Sequence, residues 1–316
     1  MKKRYLLAGV SGLATAAVIT KLLTRPRDVD WEQSRELVYH AEHSRFADVD
    51  GLRVHYQEAG DSRAPVILLI HGFLSSTMVW SKVFLEFASA GYRAIAPDLL
   101  GYGYSDKPRD FDYTIESQSR MIAGLLERLG IDHAILIGSS FGGAIAATVA
   151  LNRPELVEKL ALVGAVSNNE PKRYPIMRLV RSPLIGDVVS PLLASSRRLL
   201  RARMKRVYDR HRWKLDEFRI DARFIPLRAA ATHRAIIRTV RNWDADRIQR
   251  DAHLITQPTL LLWGDHDPDV PLRDGEELKE RIPNSRLIVF RECGHHPQEE
   301  YPETFTEAVL KFCSAR

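Results

Sequence analysis

The chain has 316 residues and a mass of 35.9 kDa, enough for one α/β core that carries an inserted subdomain. Apolar residues make up 45% of the sequence and charged residues 27%, which excludes a disordered chain, a collagen-like repeat and a polytopic membrane protein. The two cysteines, Cys293 and Cys313, are too few for a disulfide scaffold, and their spacing fits no zinc site.

The formal net charge of +6 is unevenly distributed along the chain. Residues 172–250 contain 21 Lys and Arg against 7 Asp and Glu, whereas the remainder contains 25 against 33. The basic segment includes an amphipathic stretch, residues 195–206, and indicates either contact with an anionic lipid surface or an Arg-rich face that is simply solvated. No recognition motif accompanies the charge, so we do not expect nucleic-acid binding.

The N-terminus combines a basic start with a long uncharged run. A Lys-Lys-Arg cluster precedes 15 uncharged residues, 6–20, and the run has 19 residues if it is taken from 5 to 23 with Lys21 reaching the headgroups. We therefore predict a membrane anchor within residues 1–28, with the catalytic domain on the far side of the membrane from the cytoplasm. A cleaved secretory signal is the alternative, since small residues at 14–16 resemble a cleavage site.

After a polar linker, residues 29–45, strand and helix patterns alternate. Residues 46–48 and 52–58 flank an Asp-Gly pair, which predicts a β-hairpin. Buried strands are predicted at residues 66–70, 93–97, 134–137, 160–163, 259–263 and 286–290, and helices at residues 115–129, 142–151 and 305–312. The alternation predicts a mostly parallel central sheet that is covered by helices on both faces.

Between residues 166 and 248 the pattern becomes helical, basic and interrupted by prolines. We interpret this segment as a helical cap inserted into an α/β core that consists of residues 46–165 and 249–316. Most of the apolar side chains of the cap are expected to pack inside it, and the others to line an acyl pocket.

The sequence Gly-Ser-Ser-Phe-Gly at residues 138–142 matches G-x-S-x-G and lies between a predicted strand and a predicted helix. A nucleophile elbow requires this context, because its tight turn leaves no room for side chains at Gly138 and Gly142 and projects the central serine above the sheet. The central residue is Ser140, and Ser139 is in the wrong register. An ordinary glycine-rich turn is the alternative, whereas a dinucleotide loop would need G-x-G-x-x-G.

A nucleophilic serine requires a general base. His295 and His296 follow the last predicted strand, where a loop can return over the edge of the sheet. We prefer His295, because it directly follows Gly294 and a glycine permits a sharp turn.

The base in turn requires an acid that orients it. The loop after the strand at residues 259–263 contains three carboxylates, those of Asp265, Asp267 and Asp269, whereas the loop after residues 160–163 contains none. The acid is therefore expected in the later loop. This Asp cluster lacks the glycine and the terminal glutamate of a calcium-binding loop, so we expect no metal site.

A second loop contributes to the same edge of the predicted sheet. The sequence His-Gly-Phe at residues 71–73 follows the strand at residues 66–70. The backbone N–H of Phe73 can face the N–H of Phe141, and two amides that converge on one oxygen form an oxyanion hole. His71 is expected to be structural.

Together these motifs resemble the α/β-hydrolase superfamily from about residue 46 to the C-terminus. The matching positions are residues 71–73, Trp80, and residues 97–106, 138–143, 264–271, 294–295 and 300–303. In that family the acid is the Asp three residues after the glycine that ends a strand, and the histidine directly follows a glycine. The resemblance therefore implies a catalytic triad of Ser140, Asp267 and His295 in the usual chain order of this fold.

Residues 73–108 resemble epoxide hydrolases and haloalkane dehalogenases, whose nucleophile is an Asp. Ser140 argues against both activities, because an alkylated serine is an ether that water does not readily cleave. The resemblance instead implies a serine hydrolase of carboxylic esters that needs no cofactor or metal, and it is closest to the membrane-bound monoacylglycerol lipases. A small-molecule or lipid ester is the expected partner, whereas the sequence does not determine the oligomeric state. Alternatives are carbon–carbon bond hydrolases, thioesterases, cofactor-free haloperoxidases and ligand receptors on the hydrolase fold.

Overall fold

A computed structural model describes residues 29–169, 175–182, 185–194, 196–208, 211 and 214–315, together with Thr15. Within these residues, the strands form one eight-stranded sheet in the order β1-β2-β4-β3-β5-β6-β7-β8. The strands are β1 (Ser44–Val49), β2 (Leu52–Ala59), β3 (Val66–Ile70), β4 (Arg93–Pro97), β5 (Ala134–Ser139), β6 (Val157–Val163), β7 (Thr259–Gly264) and β8 (Ser285–Phe290). Strand β2 pairs antiparallel with β1 and β4, and the other neighbours are parallel, which confirms the predicted α/β class.

Helices cover both faces of this sheet. The helices of the described residues are α1 (Trp31–Ser34), α2 (Phe84–Ser89), α3 (Ile115–Arg128), α4 (Phe141–Asn152), α5 (Pro175–Arg181), α6 (Ile185–Ala194), α7 (Arg197–Val207), α8 (Glu217–Leu227), α9 (Ala230–Arg241), α10 (Asp246–Asp251), α11 (Leu272–Arg281), α12 (Pro297–Glu300) and α13 (Pro302–Ser314). Leu68 and Ile70 of β3 pack in one buried cluster with α3 and α4, whereas Ile67 and Leu69 pack in a second cluster with α2 and α13. Successive side chains of a strand point to opposite faces, so a continuous apolar run can fill both layers.

Helices α5 to α9 lie between β6 and β7 in the chain, within the segment predicted to be a cap. Two basic residues of α7 form ion pairs within this segment. The Arg197 guanidinium lies 2.7 Å from Asp221 and 2.6 Å from Glu217, both on α8. Arg201 also pairs with Glu217. Helix α7 is therefore joined to α8 by ion pairs.

The segment predicted to be a linker contains α1 and two single turns of 3-10 helix, at Arg35–Leu37 and Ala41–His43. The ring centroid of Trp31 lies 5.6 Å from that of Phe46 and 5.0 Å from that of His55. These aromatic contacts hold α1 against the hairpin of β1 and β2.

The prediction of a membrane-anchored protein is wrong. Among the residues that the structure describes, no helix is long and apolar enough to cross a bilayer. The predicted anchor at residues 5–23 lies outside the described residues, apart from Thr15. Its uncharged core of 15 residues is shorter than the roughly 20 apolar residues that a spanning helix needs, and the predicted topology depended on that span.

Candidate active site

Ser140 lies at the turn between β5 and α4, in a strained backbone conformation. Its φ of 56° and ψ of −117° are rare for a residue with a side chain. A Cβ atom on Gly138 would lie 2.3 Å from the carbonyl oxygen of Gly142, and one on Gly142 would lie 2.2 Å from that of Ile70. Both glycines are thus required by close backbone contacts, as the sequence analysis predicted for a nucleophile elbow.

His295 and Asp267 form a hydrogen-bonded pair at the carboxyl edge of the sheet. Asp267 follows β7 and His295 follows β8, and the His295 Nδ1 atom lies 2.6 Å from Asp267 Oδ2. The other carboxylate oxygen, Oδ1, accepts hydrogen bonds from the backbone N–H groups of Asp269 and Val270, each at 2.8 Å. These contacts fix the carboxylate and thereby the orientation of the imidazole.

Burial by itself would lower the pKa of His295, but the nearby Asp267 carboxylate more than offsets this and raises it above the ordinary value. The imidazole therefore gains a proton more readily than a buried histidine without a partner. This property suits a general base, which must hold a proton during catalysis.

Gly294, which precedes the histidine, is required for a reason that differs from the sharp turn predicted. A Cβ atom there would lie 2.1 Å from the carbonyl oxygen of Val207, the last residue of α7. That same oxygen accepts a hydrogen bond from the His295 N–H at 2.9 Å. The cap thus contacts the backbone of the histidine loop directly.

The structure also identifies a residue that the sequence analysis missed. Gly164 follows β6 and has a φ of +49°, and a Cβ atom on it would lie 3.1 Å from both Asp267 Oδ2 and His295 Nδ1. The loop after β6 contains no carboxylate, so the sequence analysis assigned it no part in the site. A glycine directly after a strand that neighbours the acid-bearing strand was the available signal.

His296, the alternative base, has a different environment. Burial lowers the pKa of His296 well below the ordinary value, and its Nδ1 atom is buried without a hydrogen-bond partner. Its ring centroid lies 5.0 Å from that of His295, and its side chain lines the same cavity. Because no recorded hydrogen bond joins its ring to a carboxylate, His296 lacks the orienting acid that His295 has.

The elbow and the histidine loop border a common cavity of about 210 Å³. Ser140, His295 and Phe73 all line it, and the cap supplies much of the remaining wall. The structure records no hydrogen bond between Ser140 and His295, both of which lie in its described part. Such bonds are often long before substrate binds, and the shared cavity leaves room for a reacting carbonyl.

The two amides expected to form the oxyanion hole belong to the elbow and to the loop after β3. Phe73 follows β3, and Phe141 is the first residue of α4. A Cβ atom on Gly72 would lie 3.0 Å from the Cβ of Ser140, so the first loop contacts the elbow directly. Within the described residues, neither amide donates a recorded hydrogen bond to another protein group.

An aromatic cluster surrounds these amides. The ring centroid of Trp243 lies 5.1 Å from that of Phe141 and 5.8 Å from that of Phe73. Trp243 follows α9 and also lines the cavity, so the cap shields this side of the elbow from water.

Glu300, one of the matching positions to which the sequence analysis assigned no role, holds the backbone of the histidine loop. Its carboxylate is fully buried and accepts hydrogen bonds from the N–H groups of Gly294, at 3.1 and 3.2 Å, and of His296, at 3.3 Å. Burial raises the pKa of Glu300 to about 7. Its role depends on contacts that its place in the sequence does not reveal.

His71 and Asp98 form a structural centre near the elbow. Asp98 accepts hydrogen bonds from the N–H of Thr77 at 2.8 Å and of Tyr104 at 2.9 Å, and its Oδ2 lies 2.7 Å from His55 Nδ1. Burial opposes ionisation, but His55 and these donors hold the pKa of Asp98 at about 2. His71 Nε2 accepts from Leu99 N–H at 3.0 Å, so this ring supports a turn. Among the residues described, no cluster of three or more His, Cys, Asp or Glu could hold a metal ion.

Several known proteins are similar to this chain in sequence and in fold. A family model described as alpha/beta hydrolase fold matches residues 65–302. The chain is 30% identical over 264 residues to the uncharacterized hydrolase YugF of Bacillus subtilis, which covers 84% of this chain and 95% of that protein. It is 32% identical over 269 residues to a 2-hydroxy-6-oxononadienedioate/2-hydroxy-6-oxononatrienedioate hydrolase of Paraburkholderia phymatum, covering 83% and 91%. A solved structure of a serine hydrolase involved in carbazole degradation has a TM-score of 0.72 and 27% identity, covering 86% and 99%. The chain therefore belongs to the alpha/beta hydrolase family.

Proposed function

We propose that this hydrolase cleaves carboxylic esters through an acyl-enzyme on Ser140, with His295 as general base and Asp267 as the residue that orients it. The observation that carries the proposal is that a strained elbow serine lines the same cavity as a histidine that is hydrogen-bonded to Asp267. This combination is the one that acyl transfer needs.

In the proposed mechanism, His295 Nε2 takes the proton of Ser140 as Oγ attacks the ester carbonyl. The Nδ1–H group donates to Asp267, which stabilises the imidazolium that forms. The amides of Phe73 and Phe141 hold the oxyanion, and the loss of one such donor typically lowers kcat by about 10²–10³-fold. His295 then protonates the departing alcohol, and water repeats the sequence on the acyl-enzyme.

The apolar walls of the cavity favour a substrate ester with an apolar acyl group. Apolar side chains line it on both the core and the cap side; they include Leu74, Val79, Val166, Met177, Leu200, Met204, Val240 and Trp243. An acylglycerol or a similar lipid-like ester has the apolar surface that such walls would bury.

Carbon–carbon bond hydrolysis is the second candidate function. The relative from Paraburkholderia phymatum is named for substrates of the 2-hydroxy-6-oxo-dienedioate type, and it covers 83% of this chain. Hydrolysis of such a vinylogous diketone breaks a carbon–carbon bond. The same serine, histidine and oxyanion donors can serve that reaction, so substrate kinetics must separate the two candidates.

A comparison of two substrate classes tests the proposal. We expect the wild-type enzyme to hydrolyse a 4-nitrophenyl ester series with multiple turnovers, and a vinylogous diketone with a much lower kcat/KM. Ser140→Ala should abolish ester turnover, whereas the matched control Ser139→Ala, which changes the neighbouring serine, should retain it. A higher kcat/KM for the diketone would instead favour the second candidate, and one equivalent of product without turnover would indicate a receptor.

A further inference from the structure

Two arginines of the cap lie in the wall of the candidate cavity. Arg178 and Arg181 are three residues apart on α5, so they lie on the same side of the helix, about 4.5 Å apart along its axis. Both side chains are exposed. In the part of the chain that the structure describes, neither has a recorded ion pair or hydrogen bond, in contrast to several arginines of α7 and α8.

Each of the other charged Arg and Asp side chains of the cavity wall forms an ion pair or is buried. Its described lining contains four arginines and two aspartates. Arg203 pairs with Asp269 at 3.3 Å, and Arg223 pairs with the buried Glu299 behind the wall. The second aspartate, Asp274, is only 2% exposed. The excess positive charge of the wall therefore lies on α5.

The position of α5 brings this charge close to the proposed reaction centre. Val180, between the two arginines and 4% exposed, packs in a cluster with Ile237 and Val240. Phe73 packs against the same cluster, and its amide is a proposed oxyanion donor. The cavity wall near Phe73 thus combines an apolar cluster with two guanidinium groups that have no recorded partner among the described residues.

We propose that Arg178 and Arg181 bind an anionic group, a carboxylate or a phosphate, on the ester that Ser140 cleaves. Guanidinium groups match both anions through paired N–H donors, and such charge-assisted hydrogen bonds are stronger than neutral ones. The inference rests on the proposed esterase function and defines its substrate class as an amphiphilic ester that is apolar at one end and negatively charged at the other.

Two matched substrate pairs test this inference and distinguish the two anions. The first pair is 4-nitrophenyl hexanoate and mono-4-nitrophenyl adipate, which differ by a terminal carboxylate on an acyl chain of equal length. The second pair is 1-octanoylglycerol and 1-octanoylglycerol 3-phosphate. We expect the anionic member of at least one pair to have a kcat/KM about 10- to 100-fold higher, because one or two charged hydrogen bonds are gained. The preference should weaken as ionic strength rises.

Substitutions then locate the preference. In Arg178→Ala/Arg181→Ala, the ratio of kcat/KM between the anionic and the neutral ester should fall about tenfold or more. Arg178→Lys/Arg181→Lys keeps the charge and should retain part of the preference. The control Arg109→Ala/Arg128→Ala removes two exposed arginines that do not line the cavity, and it should leave the ratio unchanged.

Equal kcat/KM values for both members of each pair in the wild-type enzyme would overturn the inference and leave the esterase proposal intact. A preference that survives in the Arg178→Ala/Arg181→Ala variant, with the same thermal unfolding temperature as the wild type, would also overturn it. The absence of Ser140-dependent hydrolysis of all four esters would instead refute the esterase proposal itself.

Discussion

The buried carboxylate of Glu299 joins the cap to the core, and its removal should be unusually destabilising. Glu299 lies on α12, directly after the histidine loop, and is fully buried. Its Oε1 accepts a hydrogen bond from Arg219 Nη1 at 2.6 Å, and its Oε2 accepts from Arg223. Both arginines belong to α8 of the cap and are 4% exposed. Glu299→Ala would leave two buried guanidinium groups without their anion.

We expect Glu299→Ala to lower the free energy of unfolding by about 3–5 kcal/mol, because an uncompensated buried charge costs far more than a lost surface contact. Glu217 supplies a matched control. Its carboxylate also binds two arginines, Arg197 and Arg201, but its side chain is 62% exposed. Glu217→Ala should therefore lower the free energy of unfolding far less, because solvent screens an exposed ion pair.

Urea denaturation followed by circular dichroism measures the loss of unfolding free energy in both variants. Glu299→Gln separates the effect of the lost charge from that of the void that alanine leaves. The glutamine keeps the volume and one acceptor oxygen, so a large loss in this variant assigns the effect to the charge. The reasoning is refuted if Glu299→Ala and Glu217→Ala lower the free energy of unfolding equally, or if Glu299→Ala costs less than about 1 kcal/mol.

Three further predictions concern residues that contact His295 or the loop that contains it. Asp267→Asn should lower kcat by about 10⁴-fold and move the acidic limb of the pH–rate profile to lower pH, because the carboxylate raises the pKa of the His295 base; an unmoved limb would contradict this assignment. Gly164→Ala should lower kcat by at least about tenfold, because its Cβ would lie 3.1 Å from both members of the His–Asp pair. Gly51→Ala, at a φ of +78° with no atom within 4 Å of the added Cβ, controls for backbone strain, and equal kcat values in the two variants would contradict the role of Gly164. Glu300 has a folded-state pKa of about 7, above that of an unfolded glutamate, so the free energy of unfolding should fall as pH rises from about 4.5 to 7, and Glu300→Gln should lack this part of the slope in urea denaturation; identical slopes would exclude it.

Local patterns predicted the sheet and the elbow, because their causes lie within a few residues of one another. An apolar run such as β3 must be buried on both faces, and the glycines around Ser140 are required by contacts within the turn and with the adjacent strand. The positions after two strands predicted the loops that contain the acid and the base, and the resemblance to the α/β-hydrolase superfamily selected Asp267 among three carboxylates. The structure places Asp267 and His295 in contact. Their catalytic roles remain predictions.

The features that were missed depend on residues far apart in the chain. Gly164 matters only because β6 and β7 are neighbours, and the contact of Gly294 with Val207 exists only because the cap returns to the histidine loop. The charge of residues 195–206 indicated either a lipid-facing surface or a solvated Arg-rich face, and it did not reveal that Arg197 has partners on a helix about twenty residues later in the chain. The anchor was inferred from a basic start and an uncharged run of 15 to 19 residues, which is shorter than the roughly 20 apolar residues that a membrane span needs.

Covalent labelling with a fluorophosphonate tests the central claim most directly, because this reagent reacts with a serine only when an adjacent base activates it. Peptide mass mapping should place a single stoichiometric adduct on Ser140. Labelling should be absent in Ser140→Ala and slowed by at least about a hundredfold in His295→Ala. An adduct on another residue, or undiminished labelling of the Ser140→Ala variant, would contradict the account.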